Sequence, residues 1–214
     1  MRIICITENV FGVNSYCIAE RNHVILVDPI ATEDLEKIVS NHVVDFAILT
    51  HEHFDHIYSV NDLQVRYGIR FLCGKEAIEG LSNPSINMSR YVDYLSSVIP
   101  FGNHKAKVGE YTCAADGVLL DGESIQWMDH KLTIRYLPGH SKGSIGIVLD
   151  NYFLFSGDTI FKNYPSAVRL PGGSSKLFSM VTTPFLSSLQ DSMIVYPGHG
   201  ESFLLRERYN NEIM

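Results

Sequence analysis

The chain has 214 residues, 45% of them hydrophobic and 19% charged, and carries a formal net charge of −7. That length suits a single domain, 1–214, with a full core. The acidic balance argues against a general binder of nucleic-acid backbone, which needs a basic surface, and no stretch approaches the ~20 apolar residues that cross a bilayer.

The opening "RIICI" predicts a strand and not an export signal, because Thr7, Glu8 and Asn9 interrupt its apolar run. A cytoplasmic location is expected on that ground. Cys5, Cys17, Cys73 and Cys113 form no Cys-x-x-Cys pair and read as reduced thiols, the first three as core residues. "YCIAE", "HVILVD", "FAILT" and "RFLC" continue as strands. Among them, "TEDLEKIVSN" predicts a helix capped by Thr32, with Leu35, Ile38 and Val39 on one face. "DHIYSVNDLQVRYG" predicts a second helix that starts with an acid and stops at Gly68. Residues 76–124 carry turn formers and little periodicity, and are expected to make an irregular excursion over one face. Strands resume at "KLTIRYL", "SIGIVL", "YFLFS" and "SMIVY". "SSKLFSMVTTPFLSSL" reads as helical with a break at Pro184, and "ESFLLRERYNNEIM" as a short C-terminal helix. Two strand-rich halves with helices between them predict an α/β sandwich, sheets inside and helices outside.

The chemistry gathers at strand ends. "THEHFDH" follows the apolar run of "FAILT", so its side chains project past the sheet rim. His51 and His53 are two apart and share a direction in extended backbone. Asp55 and His56 are adjacent and are expected to point apart. Three later strands end in a glycine and a polar residue: "YLPGH" gives His140, "LFSGD" gives Asp158 and "VYPGH" gives His199. Glycine permits the sharp turn that presents the next side chain at the rim. A lone strand-end histidine has little specificity, but this joint set of imidazoles and carboxylates suits divalent zinc, manganese or iron. Glu52 is expected to face away from the ligands, in a solvated or helix-capping role. His23, His42, His104 and His130 receive no role.

"THEHFDH", "PGH", "SGD" and "PGH", in this order and spacing, resemble the metallo-β-lactamase superfamily, and "VDP" at Val27 to Pro29 is similar to its early aspartate motif. Within the superfamily, "NSYCIAE", "SGDTIF", "RLPGGS", "PGHG" and "RERYNN" resemble short glyoxalase II-like hydrolases. The resemblance implies a four-layer αββα fold and two divalent ions, zinc foremost. His51, His53 and His140 would hold one, Asp55, His56 and His199 the other, with Asp158 bridging and Asp28 steadying the ligands from behind. Zinc-dependent β-lactamases typically carry cysteine where Asp158 stands, and flavodiiron relatives glutamate where His53 stands, so the hydrolase branch is favoured. The implied reaction is attack of a metal-activated hydroxide on a small-molecule thioester or related ester, with Asp55 as the catalytic residue that orients the nucleophile. No partner among nucleic acids or membranes is implied.

Glyoxalase II proper has a C-terminal helical domain that grips glutathione, with no counterpart in the about fifteen residues after His199. Where related short enzymes read like "GRTD", this chain has "SAVR", Ser166 to Arg169. Arg169, Lys142 and Lys162 are therefore the candidate cations for an anionic substrate. A mononuclear-iron persulfide dioxygenase and a phosphodiesterase of the same superfamily are the alternative readings.

Overall fold

A computed structural model describes residues 1–94 and 109–209. The strands β1 (Arg2–Thr7), β2 (Asn14–Glu20), β3 (His23–Val27), β4 (Val43–Leu49), β5 (Phe71–Gly74) and β6 (Gly117–Leu119) form one sheet in chain order. The second sheet holds β7 (Ser124–Trp127), β8 (His130–Tyr136), β9 (Ile145–Leu149), β10 (Phe153–Gly157), β11 (Ile194–Pro197) and β12 (Phe203–Leu204), again in chain order. Both sheets are mixed: β3 to β6 run parallel, as do β10 and β11, and the other pairs are antiparallel.

The period-two alternation of strand side chains separates three apolar layers. Ile25, Val27, Ile48 and Leu72 of the first sheet meet Leu132, Ile134, Ile147 and Phe155 of the second. Their neighbours Val24, Leu26, Ala47 and Phe71 face outward, onto Leu35 and Val39 of α1 (Glu33–Asn41) and onto Val60 and Leu63 of α3 (Val60–Tyr67). On the far side Val148, Leu154 and Val195 receive Leu186 and Phe178. The architecture is thus helices, sheet, sheet, helices, as the strand pattern predicts.

Several local expectations meet a correction. The Thr32 hydroxyl caps α1, accepting from Leu35 N at 3.2 Å, but the second helix is two. α2 (Phe54–Ile57) ends in the Tyr58 N–H to Phe54 O bond, and α3 starts over at Ser59, whose hydroxyl accepts from Ala31 N. α3 does stop at Gly68, at φ 64°. Around Pro184 the helical stretch is not broken. It widens through one π-turn, Phe178–Thr182, before Thr183–Ser188, which relieves the clash of the proline ring with the carbonyl four residues back.

The expected C-terminal helix is absent among the described residues. Phe203 and Leu205 are buried and Leu204 only partly so, a strand alternation, and β12 pairs with β11 before a 3-10 turn at Leu205–Glu207. The irregular middle is partly regular: α4 (Ile78–Leu81) packs beneath the first sheet, β6 joins its edge, and β7 begins the second sheet at Ser124. Cys5 is exposed on the edge strand β1, against the expectation of a core thiol. Cys17, Cys73 and Cys113 are buried, and all four are free. No described helix is long and apolar enough to cross a membrane.

Candidate metal centre

Strands β3, β4, β8, β10 and β11 all end at one rim of the sandwich, and each delivers a polar side chain there: Asp28, the 51–56 turn, His140, Asp158 and His199. The carboxyl ends of parallel strands are where open α/β sheets place their ligands. His51, His53 and His140 bring ligand atoms within 4.8 Å of one another, and so do Asp55, His56 and His199. Asp158 lies between the two groups. Its Oδ2 is 3.6 Å from His140 Nε2 and 3.5 Å from His199 Nε2, and its Oδ1 is 3.4 Å from His56 Nε2.

The local backbone explains the convergence. His53 closes the extended run at ψ 143°, so His51 and His53 do share a direction. Asp55 and His56 do not point apart. Both lie in α2, where neighbours differ by about 100° and not 180°, and both reach the His199 group. Gly157 sits at φ 49°, the left-handed turn that sends Asp158 inward. Gly198 is needed for space: a Cβ there would strike Asp158 Oδ1 and His56 Cε1.

Four of the five imidazoles are backed by an acceptor that fixes the tautomer. His51 Nδ1 donates to Thr50 Oγ1 at 3.0 Å, His56 Nδ1 to Asp28 Oδ2 at 2.9 Å, His140 Nδ1 to the Ala167 carbonyl at 3.1 Å and His199 Nδ1 to the Gly12 carbonyl at 3.1 Å. In all four Nε2 faces the cluster, without a partner in His51 and His56 and 3.3 Å from Asp55 Oδ2 in His199. His53 is turned the other way, its Nδ1 lying 2.8 Å from His140 Nε2. Asp28 is 1% exposed and also accepts from Thr50 N at 2.7 Å and Thr50 Oγ1 at 2.6 Å. Its oxygens are spent, so it braces His56 and the strand end, as its sequence position suggests.

The buried side-chain nitrogens and oxygens without a hydrogen-bond partner, among the described residues, are His51 Nε2, His53 Nε2, His56 Nε2, Asp158 Oδ1 and Thr159 Oγ1. Four belong to this cluster and the fifth adjoins it. Burying an unpartnered polar atom is costly, and its concentration at one spot, in nitrogen and carboxylate donors, fits divalent metal ions. The protonation tendencies divide. Burial would lower His56 and His199, but Asp158 and Asp55 overcome it and raise both above the ordinary imidazole value. The other group is held down. Burial, with His56 and His53 adding to it, holds His51 far below the ordinary imidazole range. Burial, with His53 beside it, pushes His140 down to about 4. Burial alone would raise the Asp55 carboxyl, but His56 and His199 overcome it and hold it at about 2.

Glu8 and Asn14, which have no role in the sequence analysis, and Glu52, expected there to be solvated or helix-capping, build the walls. Glu8 is buried and accepts from the amides of Val10 at 2.6 Å, Phe11 at 2.5 Å and Val13 at 3.3 Å, shaping the loop whose Gly12 carbonyl holds His199. Asn14 Nδ2 donates to the carbonyls of Pro197 and Gly200 on either side of His199. Glu52 is fully buried, which overturns the solvated role expected for it. The adjacent "TEN" and "NSY" carried a signal, since a carboxylate or amide beside a glycine turn is a usual backbone partner.

The candidate substrate cations divide. Lys142 is 3.6 Å from both Glu76 and Glu79, and Lys162 is 3.2 Å from Glu201. Arg169 is exposed and makes no ion pair among the described residues. It lies two residues beyond the Ala167 carbonyl that holds His140.

Residues 9–199 match the model of the metallo-beta-lactamase superfamily. A Streptococcus pyogenes protein named "Probable metallo-hydrolase" is 27% identical over 208 residues, covering 94% of this chain and 85% of its own. An Aliivibrio fischeri "Hydroxyacylglutathione hydrolase" is 26% identical over 188 residues, 87% of this chain but only 58% of its own. The crystal structure of the BLEG-1 B3 metallo-beta-lactamase superposes with a TM-score of 0.79 at 22% identity, covering 96% of this chain and 95% of that one. At that identity the likeness speaks for the fold alone.

Proposed function

The chain belongs to the metallo-beta-lactamase superfamily, and from that premise we propose that it is a two-metal hydrolase of a small-molecule thioester or closely related ester. The observation that carries the reading is the gathering of unpartnered buried donors in one cluster. His51, His53 and His140 would hold one divalent ion, zinc foremost, and Asp55, His56 and His199 the other, with Asp158 shared. Such ions, when bound, supply Lewis acidity and lower the pKa of a coordinated water from ~16 towards ~7.

The chain's own residues do the rest. Thr50, Asp28, Gly12 and Ala167 hold four of the imidazoles with Nε2 turned inward. Asp55 stays ionised well below neutral pH, so its carboxylate accepts a hydrogen bond from the attacking water and orients it. The same low pKa makes Asp55 a poor proton donor. With Asp55 a poor proton donor, a leaving group that departs as a stable anion is favoured, and a thiolate does so more readily than an alkoxide or amine. The resemblance to a hydroxyacylglutathione hydrolase points the same way. Arg169, exposed and two residues from Ala167, would meet an anionic group of the substrate.

The test is a panel of thioesters, lactones and phosphodiesters, assayed with enzyme whose metal content has been quantified. Metal-dependent turnover fastest on thioesters supports the reading. One iron per chain with persulfide-dependent oxygen uptake would replace it with the dioxygenase alternative, and turnover confined to phosphodiesters with the other.

A further inference from the structure

Glu52 stands between His51 and His53 in sequence, yet its side chain serves a different loop. Its Oε2 accepts from the Ser141 hydroxyl at 2.9 Å and its Oε1 from the Gly143 amide at 3.3 Å. The same Ser141 hydroxyl is 2.9 Å from Ser144 Oγ, which accepts from Ser141 N at 3.2 Å. One carboxylate therefore grips the 140–144 loop from both sides, and that loop begins with His140.

The slot around it is cut to fit. A Cβ on Gly80 would strike Glu52 Cβ and Cγ, and one on Gly143 would strike Glu52 Oε2 and Ala77. A Cβ on Gly172 would lie 3.7 Å from Glu52 Oε1. Segments from α4, the 140–144 loop and the 170–173 turn thus close on a single side chain that is 0% exposed. Packing alone does not call for a carboxylate, since an apolar side chain would fill such a slot without the cost of desolvating a charge.

We infer that Glu52 is a positioning residue that locks the His140 loop to the strand end bearing His51 and His53, fixing the spacing at which those three imidazoles share one ion. It does not serve the other group, because His56 is set by Asp28 and His199 by the Gly12 carbonyl. This rests on the two-metal reading above and adds an asymmetry to it: one site depends on Glu52 and the other does not.

The experiment titrates metal-free wild type, Glu52→Gln, Ser141→Ala and His53→Ala with zinc against a chromophoric chelator, with circular dichroism to confirm the fold. Wild type takes up two ions in two steps. Glu52→Gln keeps the volume but loses the two-sided anionic acceptor, so one step weakens by about tenfold or more while the other stays within about twofold. The weakened step is the one that His53→Ala abolishes. Ser141→Ala removes a single donor and gives a smaller loss in that same step. Equal weakening of both steps, or of neither, in folded Glu52→Gln overturns the inference and leaves the two-metal reading standing. Wild type that takes up no zinc overturns both. If Glu52→Gln does not fold, Ser141→Ala decides: a loss confined to the His53 step supports the inference, and a uniform loss or no loss overturns it.

Discussion

The two ends of the sandwich use the same residue types for opposite purposes. Where β3, β4 and β8 begin, His23 Nδ1 meets both oxygens of Asp45, at 2.9 and 3.1 Å, and Trp127 Nε1 donates to Asp45 at 2.7 Å. His130 Nδ1 meets Asp150 at 2.7 Å while its Nε2 faces Glu20 at 3.8 Å. These contacts stitch the first sheet to the second, and the polar atoms in them have protein partners. Where the same strands end, His51 and His56 are backed on Nδ1 and left unpartnered on Nε2, and His53 Nε2 and Asp158 Oδ1 beside them are unpartnered too. Residue type does not distinguish a structural histidine from a ligand. The count of lone pairs left unspent after burial does.

Removing metal is the strongest way to break that comparison. An ion that binds only the folded chain stabilises it by about 4 kcal/mol at a free concentration a thousandfold above its Kd. For a chain of this length that is roughly 8–16 °C in melting temperature. Chelation should therefore abolish turnover and lower the transition by that amount in calorimetry, and added zinc should restore both. An unchanged transition would put the two ends on the same footing. Next in size, Asp55→Ala should cost about 10²–10⁴ in turnover with the circular dichroism spectrum intact, and a variant that hydrolyses at the wild-type rate would remove Asp55 from the chemistry.

How much of this was legible beforehand follows from the same physics. Strands announce themselves by alternation, so the two sheets and the residues that share the layer between them could be read from runs such as "HVILVD". Gly-His and Gly-Asp pairs at strand ends marked His140, Asp158 and His199, because glycine and a rim position are local properties. Asp55 and His56 share a direction that strand alternation does not predict, because α2 begins at Phe54 and not at Asp55. Glu52 looked solvated because a charged residue usually is. Its burial depends on glycines 28, 91 and 120 positions away in the chain, at Gly80, Gly143 and Gly172. The pairs His23–Asp45 and His130–Asp150 were invisible for the same reason. The last segment misled because "SFLLRERY" carries helix formers, while its two-residue alternation was too short to register.

Asp28→Asn sharpens the comparison at the boundary between ligand and scaffold. Asp28 holds φ 46°, a left-handed conformation that asparagine tolerates, so the substitution removes charge and one acceptor without bending the turn. His56 loses the anion behind its Nδ1. Metal affinity and turnover should both fall by about 10–100-fold, read by chelator competition and by initial rates. Beside that, calorimetry of the metal-free chain should show a stability loss of about 1–3 kcal/mol for the buried donor left unpaired. A loss confined to stability would assign Asp28 to the scaffold alone.

Asp45→Ala asks the same question of the opposite end and should have the smallest effect on chemistry. It takes the acceptor from the indole N–H of Trp127, which is 5% exposed, and the partner from His23. Leaving a buried donor unpaired costs about 1–3 kcal/mol, or roughly 2–12 °C at the 2–4 °C per kcal/mol typical of this size. Trp127 is the only tryptophan in the chain, so its fluorescence follows the transition at the altered site itself. Metal stoichiometry and turnover per folded molecule should match wild type, because no strand end at the far rim touches a ligand. If Asp45→Ala instead lowered zinc content, the two ends would be coupled through the strands that join them, and spent lone pairs would no longer mark off scaffold from centre.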